Sequence, residues 1–239
     1  MCVTHLLLPM FLLAPDEKLM LKEDTTYPIA GSVVRATFKK GTIVSGGLKD
    51  GNLEVSRGTL AGNQSFAIKP NQNVELKDGT AATFAKGKVT GGVMTKETAL
   101  LISGDVNTPY KFAAGAYTQF DANGDVWDGV LAEETSFFPS GVAGFKIAFR
   151  AKTRIQFNRK GEVESGYIAK KGGFRAAGAA NPDVELPAGS QVNFNGKGEL
   201  FSAVLSEATE LATDKGSVKF KKGAYVRFDK GRAVAPKGG

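Results

Sequence analysis

The sequence predicts an all-β fold of six tandem repeats of about 36 residues built from short antiparallel strands, and three observations carry that prediction. One phrase recurs, Phe-x-x-x-Gly-x-Val-x-x-Gly-x-Leu-x-x-x-Thr, opening at Leu48, Phe84, Phe120, Phe157, Phe194 and Phe228 in steps of 36, 36, 37, 37 and 34 residues. A fixed step of this size marks units that bury their apolar faces only against neighbours. Segments such as Ile155-Gln-Phe157, Val192-Asn-Phe194 and Val226-Arg-Phe228 alternate apolar and polar residues, the period of a strand with one buried face, and helical periodicity is hard to find. Glycine, at 30 residues, falls at turns, where it takes positive φ without steric cost.

The elements follow in order within each copy. An apolar anchor comes first, at Phe38, Leu76, Phe112, Phe149, Leu186 and Phe220, eight residues before its opener except in the first copy, where the gap is ten. A turn glycine follows within three positions at Gly41, Gly79, Gly115, Gly189 and Gly223. The opener ends a strand that reverses through a turn, most plainly at Phe120-Asp-Ala-Asn-Gly-Asp-Val126, and equivalent turns follow Phe157, Phe194 and Phe228. A third anchor closes the copy at Leu60, Met94, Leu131, Ile168 or Leu205, with Leu21 supplying the same element at the front.

Three assemblies of such units compete. A six-bladed propeller-like ring is preferred, because the last copy stops at Val234 before its Leu-x-x-x-Thr element while Leu21 to Thr25 offers a spare one. Its blades would be small beside the about 40 to 45 residues of a WD40 blade. A β-solenoid would stack Glu97, Glu133, Glu134 and Glu207 at nearly equivalent sites, and like charges on adjacent strands repel. An elongated repeat sheet would leave a single layer with too little cover for its Phe anchors.

The phrase Phe120-Asp-Ala-Asn-Gly-Asp-Val-Trp-Asp-Gly-Val-Leu131 resembles the short β-repeats of MORN-variant and WG-repeat proteins, in which aromatic and Gly residues surround hairpin turns. The likeness spans about five units from Phe38 onward by spacing, without the paired Trp-Gly or the Tyr-x-Gly of those families. It implies an interaction or envelope-associated module without catalysis and carries over no site residue.

Residues 1–20 read as an apolar leader or capping segment and 21–239 as one β-repeat domain. Leu6 to Leu13 suggests a signal-peptide core, but no Lys or Arg precedes it. It is also short of the about 20 apolar residues that cross a bilayer, so no transmembrane segment is expected. Export or an envelope location is one expectation and a cytoplasmic one the alternative.

The sole Cys, Cys2, and the sole His, His5, exclude a disulfide framework, a Ser-His-Asp triad and a Cys/His metal site from the repeat body, and no cofactor is implied. Asp121, Asp125 and Asp128 cluster near Trp127 and could form a glycosidase-like carboxylate pair, although Asp at hairpin turns is ordinary turn chemistry. Asp-Ala-Asn-Gly-Asp lacks the twelve-residue frame and closing Glu of an EF-hand.

Trp127 stands where sister copies carry Thr90, Glu164 and Phe201, so it is either a stacking platform, an interface anchor or core filling. Strict alternation places it on one strand face with Gly129 and Leu131, opposite Val126, Asp128 and Val130. The formal charge is +7, and residues 213–239 hold eight Lys and Arg against two Asp. Lys39 and Lys40, Arg159 and Lys160, Lys221 and Lys222, and Lys230 and Arg232 lie close behind apolar anchors and form a second candidate surface for an anionic polymer. No interleaved aromatic platform supports nucleic acid. The expected function is a non-enzymatic scaffold for protein interaction or surface structure, using varied loops such as Phe138 to Lys146 and Gly172 to Asn181, with polyanion or glycan binding and a carboxylate glycosidase as alternatives.

Overall fold

The computed structural model describes residues 17–105, 107–140, 146–178 and 183–234. Residues 1–16, with Cys2 and His5, and parts of the two varied loops lie outside them. An edge strand β1 (Glu17–Met20) precedes a hairpin of β2 (Thr25–Pro28) and β3 (Arg35–Phe38). A strand pair β4 (Ile43–Lys49) and β5 (Asn52–Thr59) then leads to hairpin β6 (Gln64–Lys69) and β7 (Gln72–Leu76). The alternation continues with pair β8 (Ala81–Ala85) and β9 (Lys88–Val93), hairpin β10 (Thr98–Leu100) and β11 (Tyr110–Phe112), and pair β12 (Tyr117–Phe120) and β13 (Val126–Val130). Hairpin β14 (Thr135–Phe137) and β15 (Ile147–Phe149), pair β16 (Arg154–Phe157) and β17 (Val163–Tyr167), and hairpin β18 (Gly172–Arg175) and β19 (Asp183–Leu186) come next. Pair β20 (Gln191–Phe194) and β21 (Leu200–Val204), hairpin β22 (Thr209–Thr213) and β23 (Gly216–Phe220), and pair β24 (Tyr225–Asp229) and β25 (Arg232–Ala233) complete the chain.

The strand pairs join into one antiparallel sheet of 13 strands in the order β1-β4-β5-β8-β9-β12-β13-β16-β17-β20-β21-β24-β25, and the six hairpins stand apart as two-stranded sheets. At about 4.8 Å per strand the long sheet spans roughly 60 Å. The order is open, which corrects the ring expected from the chain ends. Closure required β1 to pair with β24, and the chain's own β25 occupies that edge through Phe228↔Ala233 and Asp229↔Arg232. The elongated sheet, set aside for lack of cover, is the form adopted, because the hairpins fold back over one face and supply it.

That cover is built from the anchors. Phe38, Leu76, Phe112 and Phe149 end their hairpins fully buried and bridge the ends of the second strand of each pair at Leu60, Met94, Leu131 and Ile168. Beneath them the sheet carries glycine: a Cβ on Gly58, Gly92, Gly129 or Gly166 would sit 2.5–2.8 Å from the Phe38, Leu76, Phe112 or Phe149 side chain. Openers pack against hairpin rings, Phe66 on Phe84 at 5.2 Å, Phe137 on Phe157 at 5.0 Å and Phe174 on Phe194 at 6.1 Å. All these residues belong to one continuous core.

Turn chemistry is as the glycines predict. Gly41, Gly79, Gly115, Gly189 and Gly223 have positive φ after their anchors, and in the copy that lacks such a glycine Lys152 takes the left-handed conformation at φ 58°. The turns between paired strands come in two kinds. Asp50–Gly51, Lys86–Gly87 and Lys230–Gly231 have positive φ at both residues, as a two-residue hairpin turn demands. After Phe120, Phe157 and Phe194 a longer turn is capped by Asp121, Asn158 or Asn195, whose side-chain oxygen accepts the backbone N–H groups two and four residues on.

The first opener needs correction. In the pairing register Gly46 faces Val55 as Phe120 faces Val126, so Gly46 and not Leu48 is the equivalent position. Leu48 is exposed on the projecting end of the β4–β5 pair. Only glycine fits at 46, since a Cβ there would lie 1.9 Å from the Glu54 carbonyl oxygen. The gap from Phe38 then becomes eight residues, as in every other copy.

Candidate functional site

One device shapes the uncovered face of the sheet. In pair β12–β13, Gln119 faces Asp128 and Phe120 faces Val126, leaving Trp127 as the extra residue of a β-bulge. Ser56, Thr90, Glu164 and Phe201 hold the same place in the pairs β4–β5, β8–β9, β16–β17 and β20–β21. The bulge shifts the alternation by one: Val126 and Gly129 face the core, whereas Trp127 and Asp128 share the opposite face. This corrects the face assigned from strict alternation and removes core filling as Trp127's role, since the ring is 36% exposed.

Beside the bulges runs a transverse row of cross-strand partners. Lys18, Ser45, Arg57, Thr83, Gly91 and Gln119 follow one another across β1, β4, β5, β8, β9 and β12. Asp128, Gln156, Ser165, Asn193, Ser202 and Arg227 continue it across β13, β16, β17, β20, β21 and β24. No hydrophobic residue interrupts the row. On its other side Tyr117, Tyr167 and Tyr225 recur every third strand, which is about 14 Å at the usual strand separation. Tyr117 and Tyr225 are exposed and Tyr167 half-buried.

Asp128 is the centre of the strongest polar cluster. Its carboxylate, 2% exposed, accepts two hydrogen bonds from Arg154, through Nε and NH2, and one each from Gln156 at 2.9 Å and Gln119 at 3.3 Å. The Asp128 hydrogen bond and charge hold the Arg154 proton above its ordinary range, outweighing the opposing effect of burial. Arg154→Ala should therefore lower stability by about 1–3 kcal/mol, below the cost of breaking a fully buried pair because Arg154 reaches solvent. Denaturant unfolding checks this, and Asp128→Asn in the same background should recover part of the loss.

The other two candidate carboxylates are also committed. Asp121 caps its own turn and accepts Ser103 Oγ at 2.8 Å, and Asp125 is ion-paired with Lys69. In the β10–β11 hairpin Asp105 accepts the Tyr110 hydroxyl at 3.0 Å, and burial followed by this carboxylate pushes the Tyr110 pKa up to about 12.

Trp127, Asp121, Asp125, Arg159, Lys160 and Glu164 meet in a cleft of about 1030 Å³ that Ser103 and Gly104 of the β10–β11 hairpin, Phe157 and Asn158 also line. It lies between the β12–β13 and β16–β17 turns. Of the sequence-predicted residues, Trp127, Arg159 and Lys160 are thus brought together with Asp121 and Asp125, while Asp128 lies apart with Arg154. Lys39 and Lys40, like Lys221 and Lys222, sit in turns that enter β4 and β24, whereas Arg159, Lys160 and Lys230 sit in turns that leave β16 and β24, with Arg232 just beyond on β25. The two groups therefore occupy opposite long edges of the sheet. Lys39 is ion-paired with Asp78 at 3.5 Å, and Arg232 donates to the Thr213 carbonyl at 3.4 Å.

Glu164, Tyr117, Tyr225 and the polar row were missed as site residues by sequence reasoning. A signal existed, because inward-facing Val126 and Gly129 are three residues apart, a step that a strand makes only through a bulge. Among the described residues no helix is long and apolar enough to cross a membrane, and no group of three or more His, Cys, Asp or Glu could hold a metal ion. No protein-family model, curated protein or solved structure matches the chain.

Proposed function

We propose that this chain is a non-enzymatic β-repeat scaffold, six units of about 36 residues, whose hairpin-free sheet face holds an extended macromolecule. The observation that carries the reading is the polar row from Lys18 to Arg227, in register over twelve strands and flanked by exposed aromatic rings. A face evolved only to be wet needs no Tyr117, Trp127, Phe201 and Tyr225, and exposed aromatic rings are enriched at contact surfaces. The commitment of Asp121, Asp125 and Asp128 to turn, Lys69 and Arg154 favours binding over carboxylate catalysis. The spacing likeness to MORN-variant and WG-type repeats agrees with an interaction module, on the bacterial envelope or elsewhere.

The test is retention of the full chain on a panel of immobilised polymers, comprising insoluble polysaccharides, heparin and fibrous proteins. Ser165→Arg combined with Ser202→Arg replaces two small buried hydroxyls of the row with bulky cations that must project from the hairpin-free face, and far-ultraviolet circular dichroism checks that the variant keeps the fold. The double variant should lose at least tenfold in affinity for whatever neutral polymer or protein binds, and change its affinity for heparin. Retention unchanged by the two substitutions, or no retention on any polymer, removes the reading.

A polyanion version of the same reading rests on a separate observation. Lys86, Lys88, Arg159, Lys160, Lys197 and Lys230 all lie at turns on one long edge, about 10 Å apart from turn to turn. Heparin affinity falling steeply with salt would support it.

A further inference from the structure

Resting on the proposed sheet-face reading, we propose that the Trp127 cleft is the subsite for one pyranose ring of an uncharged glycan lying across the strands. Three observations lead there. The bulge holds Trp127 on the hairpin-free face, and its ring is no part of the core. Of the sister bulges three carry Ser56, Thr90 and Glu164 and one carries the exposed Phe201, so the packing of the sheet does not require a large flat ring at this place.

The rim chemistry then selects the ligand class. Glu164 offers an acceptor and Arg159 and Lys160 offer donors around the same ring, while Asp121 is held by its own turn and Ser103, and Asp125 is already neutralised by Lys69. A polyanion would meet carboxylates on two sides of such a cleft. A sugar hydroxyl both donates and accepts, so it is satisfied by this mixture, and the C–H face of a pyranose matches an indole face. A cleft of about 1030 Å³ lined by Trp127 and Phe157 with a few convergent polar groups is of the size and character that small ligands use.

Continuity beyond the cleft argues for a chain and not a single sugar. The bulge row leads from Trp127 past Glu164 to Phe201, four strands on, a distance of roughly 19 Å. Ser165, Asn193 and Ser202 lie alongside, small or planar enough to let a polymer approach the sheet closely. Phe201, exposed with Arg227 at 5.1 Å from its ring, offers a second stacking contact within reach of several linked sugars.

Because Trp127 is the only tryptophan, its emission reports this site alone. The full chain is titrated with cellohexaose, chitohexaose, laminarihexaose and, as the charged arm, heparin, at low and high salt. The proposal expects a saturable change in emission with at least one neutral hexasaccharide, little altered by salt. By calorimetry, Trp127→Thr should bind that sugar at least tenfold more weakly and Trp127→Phe should retain most of the affinity. Thr is the native residue of the bulge at Thr90, so the first variant is expected to keep the fold, which far-ultraviolet circular dichroism checks. Equal binding of a hexasaccharide by Trp127→Thr overturns the subsite and leaves the sheet-face reading standing. Heparin binding alone, lost at high salt, likewise overturns it in favour of the polyanion version. Silence from every ligand overturns the subsite, and the sheet-face reading falls with it only if the chain is also not retained on any immobilised polymer.

Discussion

Gly104→Ala is expected to lower the stability of the protein by about 3 kcal/mol or more, because two costs coincide at that position. Gly104 sits at the tip of the β10–β11 hairpin with φ +82°, a conformation L side chains resist. A Cβ there would lie 2.2 Å from the Lys160 carbonyl carbon and 2.6 Å from its Cα, both backbone atoms of the β16–β17 turn. The turn reciprocates, since a Cβ on Gly161 would meet the Ser103 carbonyl oxygen at 2.6 Å. The hairpin tip thus docks main chain on main chain and cannot yield by turning a side chain. Gly41 is the matched control: its φ is +73° but nothing lies within 4 Å of its would-be Cβ. Gly41→Ala should cost about 1 kcal/mol, the conformational part alone. Denaturant midpoints of the two variants give the difference, and equal losses would refute the close docking of hairpin on turn.

Phe149→Ala should cost about 3–5 kcal/mol, the range for deleting a fully enclosed ring. The ring has no solvent exposure, lies 6.3 Å from Phe137 between centroids, and covers Gly166, whose added Cβ would stand 2.7 Å from Cδ1. Gly166→Ala alone should cost about 1–3 kcal/mol by overpacking against the ring. Together the two should cost less than their sum, because the new methyl enters space the ring has vacated. Thermal or chemical unfolding of the three variants completes the cycle. Strict additivity would mean that the ring does not rest on the glycine.

Much of this architecture was legible in the residues. Phe112, Phe149 and their counterparts recur because each caps a hairpin over the same sheet position, and Gly41, Gly79, Gly115, Gly189 and Gly223 recur because each turn needs a left-handed residue. Turn and anchor are local demands, and local demands leave local signatures. Closure is not local. Whether β24 pairs with β1 or with β25 depends on a few residues at the chain end, and Arg232 and Ala233 suffice to take the edge. The cover for the sheet was hidden for a related reason: Phe38 or Phe112 reads as apolar wherever it packs, and only the return of the hairpin shows that one layer covers another.

The site was half legible. Trp127 drew notice because it departs from Thr90 and Glu164 at a repeated place, yet its side of the strand was misread, since one inserted residue reverses every assignment after it. The row from Lys18 to Arg227 could not be read as a row, because its successive members are 8 to 28 residues apart and most are ordinary polar residues until pairing aligns them.

A ladder whose two ends stay open has no closure condition to satisfy. Pairs and hairpins alternate, and among the described residues hairpin tips meet turns further along the chain, as Gly31 meets Lys86 and Gly104 meets Lys160. Whole units could therefore be gained or lost by duplication during descent without straining the units that remain. On the proposed reading, reach along a polymer would lengthen or shorten in proportion, making the extent of that contact surface a quantity that heredity can adjust in discrete steps.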